Sequence, residues 1–175
     1  LPLDSELWKI ENFEQFLATR RRMLAQELTE FLENITKTSD TEVETSLEDL
    51  IVEGESADLE FKSSFRWGFK QGVVTPALEG VIMKSIAAFS NGEGGTLLIG
   101  VNDEGEILGL EHDYSSLNGT KDEFELHLRN LVNKSFGGSF AASNITVTFP
   151  TSGEREVCQI DIKRALRPQY LEVKD

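Results

Sequence analysis

The stretch ESADLEFKSS, residues 55–64, holds two acidic side chains and a cation at a spacing that could serve phosphate chemistry. Glu55 and Glu60 are five residues apart, and Lys62 follows the second glutamate. The alternation of apolar and charged residues from 58 to 62 predicts a strand, in which Glu60 and Lys62 share the face opposite Leu59 and Phe61. These charges are either solvated side chains at a strand edge or one half of a carboxylate site that handles a phosphate backbone.

Cations and aromatic residues alternate directly after this strand, in the sequence FKSSFRWGFKQG. Such a mixture suits single-stranded nucleic acid, because aromatic rings stack on unpaired bases while cations contact phosphates. The alternative is a mobile loop whose aromatic rings pack into the core. The predicted nucleic-acid contacts are Lys62, Arg66, Trp67, Lys70 and Lys84. A second basic cluster could extend this surface or neutralise nearby acids, and it consists of Lys163, Arg164 and Arg167.

The overall composition limits these hypotheses. The chain has 175 residues, 39% hydrophobic and 27% charged, with a net charge of −14. This acidity argues against nonspecific coating of nucleic acid, which depends on many lysine and arginine contacts to phosphates, but it leaves room for a local basic strip. No apolar run reaches the roughly 18 residues of a membrane span. The single cysteine, Cys158, fits a reducing, cytoplasmic environment.

The first 46 residues predict a helix followed by a linker. Residues 5–35 carry apolar side chains at helical spacing, interrupted by arginines at 20–22, and the segment after them is polar and has no periodicity. The apolar stripe consists of Leu17, Leu24, Leu28, Phe31 and Ile35. The predicted boundaries are a helical appendage at 1–36, a linker at 37–46 and a domain at 47–175. Since the chain begins at LPLDSELW, we expect the appendage to end an upstream domain of a longer protein, or to bury its stripe on this domain or a second copy.

The remaining residues predict an α+β domain. After the strand at 58–65, a helix begins near Pro76 and ends at Asn91-Gly92, and KDEFELHLRNLVNKSF predicts a second helix. TLLIGV, as a central strand, and EILGL predict one hairpin, and NITVTFP and REVCQIDIKR predict another. The inner face of the first helix is predicted to contain Val81, Ile82, Ile86 and Phe89. That of the second is predicted to contain Phe124, Leu128, Leu131 and Val132.

The order of these motifs resembles the Schlafen and divergent AlbA-type DNA-binding family. Its members carry E-S-x-x-x-E-F-K, then a helix ending A-F-x-N-x-x-G-G, then a strand ending I-G-V-x-D-x-G-x-x-x-G. The segments ESADLEFK and AFSNGEGGTLLIGVNDEGEILGL fill every fixed position, and RPQYL follows at 167–171. The resemblance covers residues 47–175. It implies a mixed β-sheet domain with two packed helices, preceded here by the long N-terminal helix.

The resemblance also implies a carboxylate site. In Schlafen-type RNases three acids act together, and the matching positions are Glu55, Glu60 and Asp103, with Lys62 as the lysine of the motif. Close carboxylates cannot all stay ionised without a cation, so the expected cofactor is Mg²⁺ or Mn²⁺, held with a substrate phosphate. Lys62 could hold that phosphate. Other members are presumed only to bind DNA, and VNDEG around Asp103 is favourable turn sequence whatever its function.

This chain departs from Schlafen RNases in its zinc ligands and its single lobe, and its NGEGG segment bears on nucleotide binding. Their cores have a Cys/His zinc site, whereas Cys158, His112 and His127 are scattered, so we expect no zinc site. NGEGG follows a helix and lacks the phosphate-loop pattern, so we expect no nucleotide site. Schlafen RNases also clamp RNA between two copies of the lobe, so a clamp would need a homodimer or another part of the parent chain.

Residues 5–35 resemble the tail of modification-dependent restriction proteins, in which a tryptophan precedes an Arg-Arg-x-x-Leu-Ala helix. Together these features predict a nucleic-acid-binding domain, for DNA or RNA, of a larger cytoplasmic protein, with a metal-dependent nuclease site as one alternative. The other alternative is a non-catalytic module that binds DNA or protein, or dimerises, and targets an upstream enzyme. The sequence leaves both open.

Overall fold

The computed structural model describes residues 10–39 and 46–171, which fall into two compact units divided after Glu44. The first unit contains helix α1, Ile10–Ser39. This helix ends four residues later than predicted, so the first part of the predicted linker is helical. Serine and threonine cost a helix only a few tenths of a kcal/mol each, which lets a polar segment continue it. Residues 5–9 and 40–45, and the side chains of Phe31 and Ile35, lie outside the described part of the chain.

The second unit contains the predicted α+β domain. Its elements in chain order are α2 (Leu47–Glu53), β1 (Leu59–Lys62), β2 (Trp67–Gly68), β3 (Val73–Val74), α3 (Ala77–Asn91), β4 (Gly94–Ile99), α4 (Glu111–Ser116), α5 (Lys121–Phe136), α6 (Gly138–Asn144), β5 (Ile145–Thr148), β6 (Thr151–Ser152), β7 (Arg155–Glu156) and β8 (Cys158–Lys163). None of the helices in the described ranges combines the length and apolar character needed to cross a membrane.

Four strands form a mixed sheet in the order β1-β4-β8-β5. β1 runs parallel to β4, whereas β8 is antiparallel to both of its neighbours. A parallel pair needs a long crossover, and α3 lies within the segment that connects β1 to β4. The prediction of a mixed sheet with TLLIGV at its centre is therefore confirmed.

Local chemistry explains where the main helices begin and end. α5 begins after Thr120, whose hydroxyl accepts a hydrogen bond from the Glu123 N–H at 3.2 Å, and ends at Gly137, which has a φ of +87°. α2 begins in the same way after Ser46, whose hydroxyl accepts from the Asp49 N–H at 3.1 Å. These caps satisfy backbone donors that a helix leaves unpaired.

The two faces of the sheet are covered by different helices. α3 and α5 pack on one face, where the core includes Ile82, Ile86, Phe124 and Leu128. α2 packs against Leu59, Phe61 and Leu98 on the opposite face. Alternation along β1 therefore places Glu60 and Lys62 on the α3 side of the sheet, at its edge.

One residue of the predicted core is wrong. Val81 is 39% exposed, and Met83, which was not predicted, is buried instead, because the inner face of α3 is centred one residue further along. On α5, Phe124, Leu128 and Val132 are buried and Leu131 packs against the same core, so its predicted inner face is confirmed.

The predicted hairpin of TLLIGV and EILGL is also wrong. Val101 and Ile107 form only an isolated bridge. The chain leaves β4 at Gly100, which has a φ of +101°, and the N–H groups of Leu108 and Gly109 both donate to the Gly100 carbonyl. This positive φ strongly favours glycine and lies outside the range of a strand, so β4 ends before Gly100. The short helices α4 and α6 were not predicted because they are too short to show a periodicity.

Candidate nucleic-acid interface

The aromatic residues after β1 divide between the core and the surface. Phe65 is fully buried, with its ring centroid 5.2 Å from that of Phe124 in an edge-on contact. Trp67 stacks on His112, with centroids 4.9 Å apart and planes 6° from parallel. Phe69 meets the same histidine edge-on at 5.5 Å and is 42% exposed. We call Trp67, Phe69 and His112 the aromatic platform.

A buried carboxylate holds the loop that carries this platform. Asp113 is 1% exposed, and its oxygens accept hydrogen bonds from the Phe65 and Arg66 N–H groups, both at 2.9 Å. The Ser64 hydroxyl donates to the same carboxylate at 2.8 Å and accepts from the Trp67 N–H at 2.6 Å. Asp113 therefore fixes the backbone on which Trp67 sits. No sequence signal identified this residue, because its partners lie 47 to 49 positions away.

Two of the predicted contact residues are already paired within the domain. The Arg66 side chain is only 17% exposed, and its Nε lies 3.2 Å from Glu79 Oε1. His127 Nε2 lies 3.0 Å from the same oxygen. Lys62 forms an ion pair with Glu60 beside it on β1. Arg66 and Lys62 thus neutralise neighbouring acids, and their charges are less available to a ligand.

The other predicted cations are exposed but scattered. Among the described residues, no ion-pair partner is found for Lys70, Lys84, Lys163 or Arg167, whereas Arg164 Nη1 lies 2.8 Å from Glu93 Oε1. Lys163 is beside Gly94 at the start of β4, and Lys62 is beside Ile99 at its end. Lys62 and Lys163 are therefore about 17 Å apart, at opposite ends of β4.

Glu55 covers the open edge of β1. Its Oε1 accepts a hydrogen bond from the Phe61 N–H at 2.9 Å, and the Ser56 N–H donates to the Leu59 carbonyl at the same distance. Both backbone groups point away from β4, where another strand would otherwise pair. The carboxylate of Glu55 is therefore engaged by the backbone of its own sheet.

Asp103 lies in a turn on the α2 side of the sheet. The Asn102 side chain organises this turn, since its Oδ1 accepts from the N–H groups of Glu104 at 3.1 Å and Glu106 at 2.7 Å. A Cβ added at Gly105 would lie 3.2 Å from Ile51 Cγ2 of α2. Glu60 is on the opposite, α3 side of the sheet.

The described residues contain no group of three or more His, Cys, Asp or Glu side chains placed to hold a metal ion. The predicted convergence of Glu55, Glu60 and Asp103 is therefore not found. Binding of Mg²⁺ or Mn²⁺ by one or two of these carboxylates together with a substrate phosphate stays a prediction.

Glu60 instead faces a cleft between the loop before β1 and α3. The cleft has a volume of about 430 Å³ and is lined by Glu60, Lys84, Ser85, Ala88 and Phe89, among others. The structure thus brings one predicted catalytic residue, Glu60, together with one predicted contact residue, Lys84.

Known proteins similar to this chain were found among solved structures and protein families. No curated protein matches the chain. The N-terminal domain of a RecG-related protein from Nitrosomonas europaea is 20% identical, with 74% of this chain and 82% of that one covered and a TM-score of 0.46. The DIP2311 protein from Corynebacterium diphtheriae is 18% identical, with a TM-score of 0.47, and the match covers 71% of this chain but only 22% of that one. The family model described as "Schlafen, AlbA_2" matches residues 55–175, so this chain belongs to that family.

Proposed function

We propose that this domain binds single-stranded nucleic acid, DNA or RNA, and that the aromatic platform stacks on unpaired bases. The observation that carries the proposal is the parallel stack of Trp67 on His112, with Phe69 exposed beside it. Flat rings on a fixed loop accept any base, because every base has a π-face. Membership of the Schlafen and AlbA-type family supports the same function.

The charge near the platform sets how strongly salt should affect binding. Lys70 follows Phe69 in the turn between β2 and β3, and it is exposed with no ion-pair partner in the described ranges. For single strands the slope of log affinity against log salt is about −0.7 for each phosphate neutralised. With Lys70 and Lys84 as contacts, the expected slope is about −0.7 to −1.4. A net charge of −14 leaves little further long-range attraction.

The first experiment measures binding of labelled single-stranded DNA, single-stranded RNA and duplex DNA by fluorescence anisotropy. Stacking on one aromatic ring contributes about 1–3 kcal/mol, so Phe69→Ala should weaken single-strand binding roughly tenfold. Lys134→Ala is the matched control, because this exposed lysine lies near the far end of α5 from the platform. It should change affinity less than about twofold. Equal effects of the two substitutions would contradict the proposal.

A second measurement reports on the platform directly. The chain has two tryptophans, Trp8 and Trp67, so a Trp8→Phe background leaves Trp67 as the only source of indole fluorescence. Stacked bases should quench this emission, and the Kd from the quenching titration should equal the Kd from anisotropy. Binding without quenching would place the ligand elsewhere. If no nucleic acid binds, the exposed Val73 and Val74 on the same hairpin point to a protein partner instead.

We propose no cleavage step, because the described residues contain no group of three carboxylates placed to hold a metal ion. A nuclease assay on the same labelled substrates, with Mg²⁺, Mn²⁺ or EDTA, tests the enzymatic alternative. Cleavage that requires the metal and is lost in Glu60→Ala would assign a catalytic role to the cleft. Cleavage that survives in Glu60→Ala would indicate a contaminating nuclease.

A further inference from the structure

Helix α1 presents an apolar stripe to solvent. Leu17 is 36% exposed, Leu24 50% and Leu28 58%, and their spacings of seven and four residues place them on one face of the helix. The helix has 30 residues and is therefore about 45 Å long. Most of the stability of a helix in a protein comes from packing its apolar face, so this stripe requires a partner.

The stripe is narrow, which limits the kind of partner. Gln26 is two residues from Leu24 and so lies about 160° around the helix from it. The residues from 17 to 30 on the remaining faces are predominantly polar, and all of them are exposed. A helix with one narrow apolar face fits a single partner helix better than the interior of a larger bundle.

Charge is distributed unevenly along the same helix. Arg20, Arg21 and Arg22 lie together, and no ion-pair partner is found for them within the described ranges. Glu27 and Glu30 lie one to two turns further on. The central part of the helix is therefore basic in its first half and acidic in its second.

We propose that α1 pairs antiparallel with α1 of a second copy of this chain. A two-fold axis near residue 23 brings Arg20 beside Glu27 of the partner subunit on the same flank of the stripe, and the reciprocal contact forms at the same time. A parallel pair would instead place Arg21, which lies about 60° around the helix from Leu24, against Arg21 of the partner subunit, which is unfavourable. The antiparallel pair also brings Leu28 of each copy close to Leu17 of the other, with the two Leu24 side chains together near the axis. This inference does not depend on the proposed nucleic-acid function.

Sedimentation equilibrium of the whole chain tests the proposal. The chain has a mass of 19.6 kDa, so a species of twice that mass is expected as concentration rises from about 1 to 100 µM. Leu24→Glu places a charge in the stripe and should weaken the dimer at least about tenfold. Gln26→Glu adds the same charge on the opposite face and should leave the dimer intact. A monomer at every concentration, or a dimer that both variants leave unchanged, would overturn the proposal.

Charge reversal tests the orientation. Arg20→Glu and Glu27→Arg should each weaken the dimer, and the two combined in one chain should restore it, because each new charge then faces its opposite. An Arg20→Cys chain should also form a disulfide with a Glu27→Cys chain, without interference from Cys158, which is buried. No restoration by the double variant, or no disulfide between the two cysteine chains, would exclude the antiparallel arrangement.

Discussion

Removal of the Asp113 carboxylate is expected to destabilise the domain and release the platform loop. The carboxylate is 1% exposed and accepts from two backbone N–H groups and one hydroxyl. In Asp113→Ala the Phe65 N–H and the Ser64 hydroxyl lose their acceptor at a buried site, whereas the Arg66 N–H keeps a second acceptor, the Ser64 hydroxyl, at 3.2 Å. Each unpaired buried donor costs about 1–3 kcal/mol, so the free energy of unfolding should fall by about 2–6 kcal/mol.

Two further substitutions provide reference values for this loss of unfolding free energy. Asp113→Asn keeps one oxygen and turns an NH₂ group toward the other backbone donor, so one bond is lost and the cost should be about 1–3 kcal/mol. Glu111→Ala is the matched control, since Glu111 carries the same charge in the same first turn of α4 but is exposed. Its cost should stay below about 1 kcal/mol.

Urea unfolding followed by circular dichroism gives the three free energies, and hydrogen exchange gives the local effect. Protection at Phe65 and Arg66 should fall first in Asp113→Asn, because their N–H groups donate to this carboxylate. The reasoning is refuted if Asp113→Ala costs no more than Glu111→Ala. It is also refuted if exchange increases equally throughout the domain and not first in this loop.

The other predictions concern two glycines, the buried cysteine and the loss of stability at acid pH. Gly95→Ala should cost about 1–3 kcal/mol, because a Cβ there would lie 2.5 Å from the Phe89 ring and 2.7 Å from a backbone carbonyl. Gly80 lies on α3, and a Cβ there would meet no atom within 4 Å, so Gly80→Ala should stabilise the domain by about 0.5–1 kcal/mol. A urea midpoint for Gly95→Ala that is not below that for Gly80→Ala would contradict both predictions. Cys158 is fully buried and burial raises the pKa of its thiol, so a disulfide reagent at about pH 8 should label it only after unfolding. Partial burial raises the pKa of Glu156, but hydrogen bonds from a lysine and a tyrosine lower it overall. The ionised Glu156 therefore stabilises the folded state above the unfolded pKa of about 4.3, and this contribution is lost at lower pH. The Tm of Glu156→Gln should fall less steeply below that pH than the Tm of the unsubstituted protein.

Local patterns were sufficient to predict most of the sheet and its main helices. The alternation from 58 to 62 correctly gave buried Leu59 and Phe61 with Glu60 and Lys62 on the other face. Such a pattern needs only the period of a strand and the difference between apolar and charged residues. Pro76 directly precedes α3, as its sequence signal predicts, because a fixed φ suits a helix start.

Contacts between distant segments could not be predicted in this way. Arg66 was predicted as a nucleic-acid contact because it lies among aromatic residues, and only the structure reveals its ion pair with Glu79 at the start of α3. The position of Asp103 depends on the direction in which the chain leaves β4, and a single left-handed glycine sets that direction. Neither the ion pair nor the turn leaves a periodic trace in the sequence.

Because the Glu55 carboxylate accepts a hydrogen bond at the edge of β1, a substitution of Glu55 would alter this sheet edge as well as remove a charge. In Glu55→Ala the Phe61 N–H would be left open on an exposed strand, where a strand of another molecule can bind. Loss of soluble protein or gradual precipitation would then reflect an unprotected sheet edge. Glu55→Gln retains an acceptor for the same N–H, so only a defect that appears in both variants can be ascribed to the charge of Glu55.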